Sequence, residues 1–208
     1  MHRPTLKAAL AIAILVLTSC GVTPPSETGK KAEARKPPIP PGPITGRTAF
    51  WEMYRSAHAW SPDVVPLALE DKELPGYKTA DGKAAMWKAT FGSPKLHQFR
   101  VFSYSIADLK PDVVPGVMIG NTQRWSGPVN EALPFETSDF NIDSDAAYQK
   151  ALAQAAPWTR KNPGKDVSFT LGNSSRFNGP VWYVLWGEKK AGYSVYVDAR
   201  TGAIVKGK

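Results

Sequence analysis

The chain has 208 residues, enough for one or two small domains, and its 26 Lys and Arg residues against 18 Asp and Glu residues give a formal charge of +8. Most of this excess precedes residue 48, and the rest of the chain keeps too mild a positive balance to indicate a nucleic-acid partner. The single cysteine, Cys20, excludes an internal disulfide and a zinc site built on several thiolates.

The N-terminus has the layout of a secretory signal, because two basic residues precede an apolar run over residues 8–17 that is too short to span a bilayer comfortably. The string LTSCG at residues 17–21 resembles the bacterial lipobox. This resemblance implies that residues 1–19 are a signal peptide and that Cys20 carries acyl chains, palmitate among them, after cleavage. An ordinary signal peptide with an incidental cysteine, or a short anchor that is never cleaved, is the alternative.

Residues 20–47 predict a lipid-anchored spacer, because they are rich in Pro and Lys and poor in large apolar side chains. The segment PPIPPGP at residues 37–43 favours extended, semi-rigid polyproline conformations. Basic side chains in the spacer suit anionic lipid headgroups. Gly21 rather than Asp follows the cysteine, which by the sorting rules of lipoproteins implies the periplasmic face of the outer membrane if the cell has one. We therefore expect an extracytoplasmic protein of the bacterial cell envelope.

Residues 48–106 predict a helix followed by three antiparallel strands. Apolar residues recur at helical spacing over residues 48–60, and Pro62 disfavours helical geometry at the residue before it. Alternating apolar residues then indicate half-buried strands. These strands are predicted at residues 64–70, 85–91 and 96–106.

Residues 107–143 are less regular. Four prolines interrupt this stretch, although residues 113–119 have the composition of a strand piece. We interpret it as a connector with some structure of its own. A loop of this length inside a compact domain usually marks a boundary or a binding element.

Residues 144–208 predict a second helix followed by a meander. The helix covers residues 144–156, with Asp143 or Ser144 able to cap its start and Pro157 predicted to end it. In the string VWYVLW both alternating sets are apolar, which favours a central strand. The strands of this half are predicted at residues 167–171, 181–186, 193–197 and 203–205.

The string VYVDARTG at residues 195–202 ends a strand in a tight turn, for which Asp198, Thr201 and Gly202 are each suited. Together with the preceding strand and loop, it resembles the C-terminal half of a PepSY or PepSY-like domain. The first half of the chain has the same element order but lacks this turn. The resemblance implies an α+β lipoprotein with two PepSY-like units in tandem, each a helix and an antiparallel meander, or one pseudo-symmetric domain. Whether the two sheets fuse stays open.

The sequence holds no recognisable catalytic or metal-binding pattern. We find no phosphate loop, nucleophile elbow or zinc motif, and His58 and His97 suit surface or packing positions. Asp139, Asp143 and Asp145 lack the glycine and glutamate of a calcium loop, and helix capping explains two of them. We therefore expect no enzyme, no cofactor and no metal.

Aromatic side chains are the remaining candidates for function, since Trp and Tyr favour recognition surfaces as well as cores. Trp51, Arg124 and Trp125 fall off the predicted core stripes and are candidate contacts for a protein partner in the envelope. PepSY domains are associated with restraining peptidases or with envelope regulation. The resemblance thus implies a membrane-anchored binding module that restrains a peptidase or modulates an envelope protein. The alternative is an accessory or structural subunit of an envelope complex without inhibitory activity.

Overall fold

The structure is a computed structural model, which describes residues 40–207. The described residues form one compact unit. The predicted signal peptide, Cys20 and the spacer as far as residue 39 lie outside the described residues. Neither helix of the described part is long and apolar enough to cross a membrane.

Two helices form one layer of the fold. Helix α1 covers Gly46–Trp60 and helix α2 covers Ser144–Lys161. Thr45 caps α1 by accepting a hydrogen bond from the Thr48 backbone N–H at 3.4 Å. Helix α1 therefore starts two residues before the predicted boundary, and the end of the predicted spacer belongs to the folded part.

The prediction that Pro157 ends the second helix is wrong, because α2 continues through it to Lys161. Proline removes one backbone hydrogen bond from a helix, and the carbonyl released here belongs to Ala153. Both residues are exposed, so that carbonyl can be hydrated instead. Beyond the proline, the ring of Trp158 stacks on Tyr193 with centroids 6.1 Å apart, which holds the last turn against the sheet.

The second layer is one antiparallel sheet of eight strands in the order β10-β9-β8-β7-β2-β4-β5-β6. Two further strands of two residues each, β1 (Ile44–Thr45) and β3 (Lys83–Ala84), pair separately. The eight strands are β2 (Val65–Asp71), β4 (Met86–Ser93), β5 (Gln98–Ser105), β6 (Gly116–Arg124), β7 (Val167–Gly172), β8 (Val181–Trp186), β9 (Tyr193–Asp198) and β10 (Ile204–Val205).

The two predicted meanders are fused, because β2 of the first half pairs with β7 of the second, with Leu69 opposite Leu171. The fold is therefore α+β, with two helices on one large antiparallel sheet. Strand β6 falls within the predicted connector and forms one edge of the sheet. The rest of the connector returns to the centre, where the Phe135 N–H donates to the Pro66 carbonyl at 3.1 Å.

The core lies between the helices and one face of the sheet. The predicted inward sets of β4 and β8 are buried as expected, and Trp87 and Trp182 are completely inaccessible to solvent. Their rings meet edge to face across the seam, with centroids 6.2 Å apart. Each indole N–H also donates to a carbonyl at 2.9 Å, Trp87 to Ile44 and Trp182 to Ile142. Each of these carbonyls lies two residues before the first residue of a helix, so the two halves repeat the same contact.

The N-termini of the two helices meet at Asp143. One oxygen of this carboxylate accepts from the backbone N–H of Ser144 at 2.6 Å and from that of Arg47 at 2.9 Å. The Gly46 N–H donates to the Ser144 hydroxyl at 2.7 Å, and that hydroxyl donates to the Gly82 carbonyl at 2.5 Å. Asp143 therefore caps α2 as predicted and also satisfies a free N–H at the start of α1.

Candidate protein-binding surface

The described residues contain no cluster of three or more His, Cys, Asp or Glu side chains that could hold a metal ion. His58 is exposed near the end of α1, 6.1 Å from the ring of Tyr54. His97 is exposed in the turn between β4 and β5 and has a φ of 51°. The structure thus places both histidines at the surface, on different elements.

One face of the sheet carries no helix. Because side chains alternate along a strand, the neighbours of the buried residues point to this opposite face. One row of directly opposite residues crosses all eight strands here, and every member is half-buried. The row is Val205, Tyr196, Tyr183, Thr170, Glu70, Lys88, Ser103 and Met118.

This helix-free face is large enough to bind a protein. Eight strands spaced about 4.8 Å apart span about 34 Å, and six residues of strand span about 20 Å. The resulting area of about 700 Å² is comparable with the roughly 800 Å² that each partner contributes to a standard protein–protein interface.

The middle of the helix-free face is polar and close to charge-balanced. The carboxylate of Glu70 lies 3.1 Å from the Lys72 ammonium and 3.6 Å from that of Lys88. All three side chains are more than a third exposed, so these ion pairs contribute little to stability. They leave a mixed surface of charges flanked by tyrosines on one side and by Met118 on the other.

An aromatic group occupies the β8–β9 side of this face. The ring of Tyr196 lies 5.1 Å from Tyr183 and 4.8 Å from Phe177, measured between centroids. The guanidinium of Arg176 lies 5.6 Å from the Phe177 ring and 5.8 Å from that of Tyr196. Tyr and Arg often supply the residues that dominate binding energy. We missed this group from the sequence, although its signal was present: Tyr183 and Tyr196 alternate with residues of the predicted core.

The structure brings together two of the three predicted contact residues. Arg124 ends β6 and is exposed. Trp125 follows it, and the backbone N–H of Trp125 donates to the His97 carbonyl at 2.9 Å. The ring of Trp125 covers Gly92 so closely that a Cβ atom there would lie 2.9 Å from it. Trp51 is 38% exposed but lies on α1, in the helical layer. Partner contact by these residues stays a prediction.

A buried carboxylate, Asp71, lies at the seam between the two halves and is only 9% exposed. It accepts hydrogen bonds from the Phe169 N–H at 2.7 Å and from the Thr79 hydroxyl at 3.0 Å. Burial raises the pKa of Asp71 above its ordinary value of 3.8, although both hydrogen bonds act in the opposite direction. The folded protein therefore binds this proton more readily than the unfolded chain.

Asp71→Asn is expected to remove a pH dependence of stability. Because the folded pKa of Asp71 is raised, its contribution to stability is fully present below pH 3.8 and declines as the pH rises through the raised value. The amide can still accept from Phe169 and can donate to Thr79. Urea unfolding between pH 4 and 8 should therefore show the free energy of wild type falling relative to that of the variant as the pH rises.

Asp63 provides a control of opposite sign. Hydrogen bonds from the Ser61 hydroxyl and the Lys95 N–H, with a further one from Ser93, lower the pKa of Asp63 to about 2. Its contribution is present above pH 3.8 and is lost as the pH falls towards 2. Asp63→Asn should therefore leave the pH dependence between 4 and 8 as in wild type. The same slope in wild type and Asp71→Asn would contradict the assignment to Asp71.

Comparison with known proteins gives the fold. No family model and no curated protein matches the sequence. The crystal structure of a protein from Clostridium difficile 630, described as "a putative lipoprotein", superposes with a TM-score of 0.50 at 12% sequence identity. The match covers 77% of this chain and 91% of that one. The chain therefore shares an α+β fold with that protein.

Proposed function

We propose that the chain is a lipid-anchored, extracytoplasmic binding module whose two PepSY-like units form one sheet and present its helix-free face to a protein of the cell envelope. The observation that carries this proposal is the row of half-buried side chains across all eight strands, on a face with the area of a standard interface. Restraint of a peptidase is the activity that the PepSY resemblance favours.

Two features support the PepSY-like units. Trp87 and Trp182 occupy corresponding strands and donate to corresponding carbonyls, as expected of a duplicated unit. The predicted turn is present at the end of β9, where the Asp198 carboxylate accepts from the Arg200 N–H at 2.9 Å and the Thr201 N–H at 3.0 Å.

The lipid anchor is supported by LTSCG at residues 17–21 and by the description of the protein that shares the fold as a lipoprotein. The chain enters the fold within the helical layer, because a Cβ atom on Gly46 would lie 2.8 Å from the Trp182 ring and 3.2 Å from that of Trp87. Because Gly46 lies on the opposite side of the sheet from the helix-free face, the segment that joins the fold there leaves that face open to a partner. The periplasmic side of the outer membrane is the location proposed from Gly21.

Thr170→Arg is expected to abolish capture of the partner. Thr170 lies in the middle of the row, beside Tyr183 and Glu70, and arginine there adds a long charged side chain to the centre of the face. The full chain is recovered from solubilised membranes, from which Cys20→Ser should be absent, and bound proteins are quantified by mass spectrometry. A partner held by wild type should be lost from Thr170→Arg, and its peptidase activity should be lower in the wild-type complex.

Thr159→Arg is the matched control, since Thr159 is equally half-buried but lies on α2 in the helical layer. It should retain the partner. Equal loss from both variants, or retention by both, would contradict binding through the helix-free face. A partner held at fixed stoichiometry with unchanged activity would replace peptidase restraint by the accessory role.

A further inference from the structure

The two edges of the sheet differ in how well they are closed to other strands. Strand β10 has two residues, whereas β6 has nine and pairs on one side only, with β5. Long edges are usually protected by lysine, proline or a bulge, because their unpaired N–H and C=O groups bind further strands. Strand β6 has neither lysine nor proline, Arg124 at its end is its only charge, and its irregularity lies beyond Ile119, so residues 116–119 have none of these protections.

The first four residues of β6 form a regular ladder with β5, and the register shifts only beyond Ile119. Val117 and Ile119 of this segment lie on the helical side, opposite Tyr104 and Phe102. Met118 lies between them on the helix-free side. The residues directly in line with Ile119 across the sheet, from β5 to β9, are fully buried, yet Ile119 itself is 55% exposed. They are Phe102, Ala89, Leu69, Leu171, Trp182 and Val197. This line of side chains is therefore buried as far as β5, and solvent reaches its next member, Ile119 on β6.

We propose that β6 pairs antiparallel with β6 of a second copy of this chain, about a two-fold axis that passes through Met118. In an antiparallel pair, directly opposite residues lie on the same face. An axis at Met118 places Val117 opposite Ile119 of the second copy, twice, and Met118 opposite itself. All three pairs are apolar and match in face, as a self-complementary two-fold interface requires.

Charge does not oppose pairing in this register. The exposed Asp112 precedes β6 and Arg124 ends it. Asp112 lies in the turn before β6 and Arg124 lies beyond the register shift, so the paired segment over residues 116–120 itself carries no charge. Like charges therefore do not oppose each other along the strand.

The helices leave room for the second copy. Helix α1 packs over β4 and β5, with Phe50 5.6 Å from Phe91 and Trp60 6.3 Å from Phe102. It is about two strand spacings from the axis, so the two α1 helices would lie roughly 20 Å apart. That exceeds the 8–10 Å of packed helices by about twofold. Val117 and Ile119 of both copies would lie at the bottom of the gap between the two α1 helices.

The same symmetry is compatible with two anchors on one membrane. An axis perpendicular to the sheet keeps both helical layers on one side, and each chain enters its fold within that layer. The two helix-free faces become a single surface on the other side. Pairing therefore doubles the binding face without covering it, and it does not depend on which protein that face binds.

Met118→Cys is expected to give a covalent dimer when membranes that contain the full chain are oxidised and analysed on a non-reducing gel. Directly opposite residues of antiparallel strands have Cα atoms about 4.5–5.5 Å apart, within the range of a disulfide. Met86→Cys is the matched control, because Met86 lies on the same face but in the interior strand β4. It should give no more dimer than the wild-type chain, whose only cysteine is Cys20.

A second substitution tests the register. Ile119→Lys in the Met118→Cys background should remove the dimer, since it places a charge opposite Val117 of the second copy, while the exposure of Ile119 in one copy allows the chain to fold. Ile204→Lys, at a 39% exposed isoleucine on β10, should leave the dimer intact. Equal dimer from Met118→Cys and Met86→Cys would overturn the proposal. So would a dimer that survives Ile119→Lys, or an adduct of Met118→Cys with a different protein.

Discussion

Trp182→Ala is expected to lower the free energy of unfolding by about 3–5 kcal/mol, the usual cost of truncating a buried tryptophan. The side chain is inaccessible to solvent, packs against Trp87 and Phe140 at centroid distances of 6.2 and 5.8 Å, and satisfies the Ile142 carbonyl. Its loss leaves both a cavity and a partly buried carbonyl without a donor. Urea unfolding followed by far-ultraviolet circular dichroism measures the change. The free energy of unfolding should depend on urea concentration with the same slope in the variant as in wild type.

Trp87→Ala should lower the free energy of unfolding by a similar amount, because Trp87 makes the corresponding contacts in the first half. Trp51→Ala is the control, since Trp51 is 38% exposed and a surface substitution usually changes stability by less than about 0.5 kcal/mol. A loss for Trp182→Ala no greater than that for Trp51→Ala would contradict the placement of the indole in a shared core. Because Trp51→Ala stays folded, it also tests partner contact by that residue.

Asp143→Ala is expected to lower the free energy of unfolding by about 2 kcal/mol. Loss of one N-cap costs about 1 kcal/mol, and the Asp143 carboxylate serves the first turns of both α1 and α2. A negative charge near two helix N-termini adds a favourable interaction with both helix dipoles. The same urea experiment measures the loss, which should exceed that of a cap serving one helix.

Asp145→Ala provides the comparison, because the Asp145 carboxylate accepts a hydrogen bond only within α2, from the Ala146 N–H at 2.7 Å. We expect a smaller change, about 0.3–1 kcal/mol from the helix dipole. Equal losses for the two variants would mean that the contact of Asp143 with the Arg47 N–H contributes nothing. That result would also mean that this hydrogen bond does not couple the two helix N-termini energetically.

The helix-free face and the β6 edge are different surfaces that share Met118, which belongs both to the row and to the edge strand. The face is broad and mixed in polarity, whereas the edge offers backbone groups and a short apolar segment. Substitutions at Thr170 and Ile119 therefore address binding and pairing independently. The two proposals can fail separately.

Local pattern was sufficient for the positions of most elements. Helical spacing located α1 and the start of α2, and alternation located the strands outside the connector and the buried tryptophans Trp87, Trp182 and Trp186. These features depend on neighbouring residues along the chain, which share a face because of helix or strand geometry. The turn at Asp198 was predictable for the same reason, since its hydrogen bonds close within three residues.

Contacts between residues far apart in the chain determined the features that local sequence pattern could not predict. A proline normally ends a helix, yet α2 continues past Pro157 because Trp158 packs on the distant Tyr193. The connector, which four prolines made irregular in sequence, contributes a nine-residue edge strand because β5 offers it a partner. Strand alternation indicated only half of the aromatic group around Tyr196, since Arg176 and Phe177 come from the loop before β8.

The sequence by itself determined the two-layer α+β composition, the repeated order of helix and meander, and the lipobox-like string that motivates the anchor. Only the tertiary structure decided that β2 and β7 pair and that Asp143 joins the two helix starts. The physical reason is that residues about 100 positions apart make these contacts, so no local periodicity encodes them. The broad helix-free face and the single long open edge follow from that fusion.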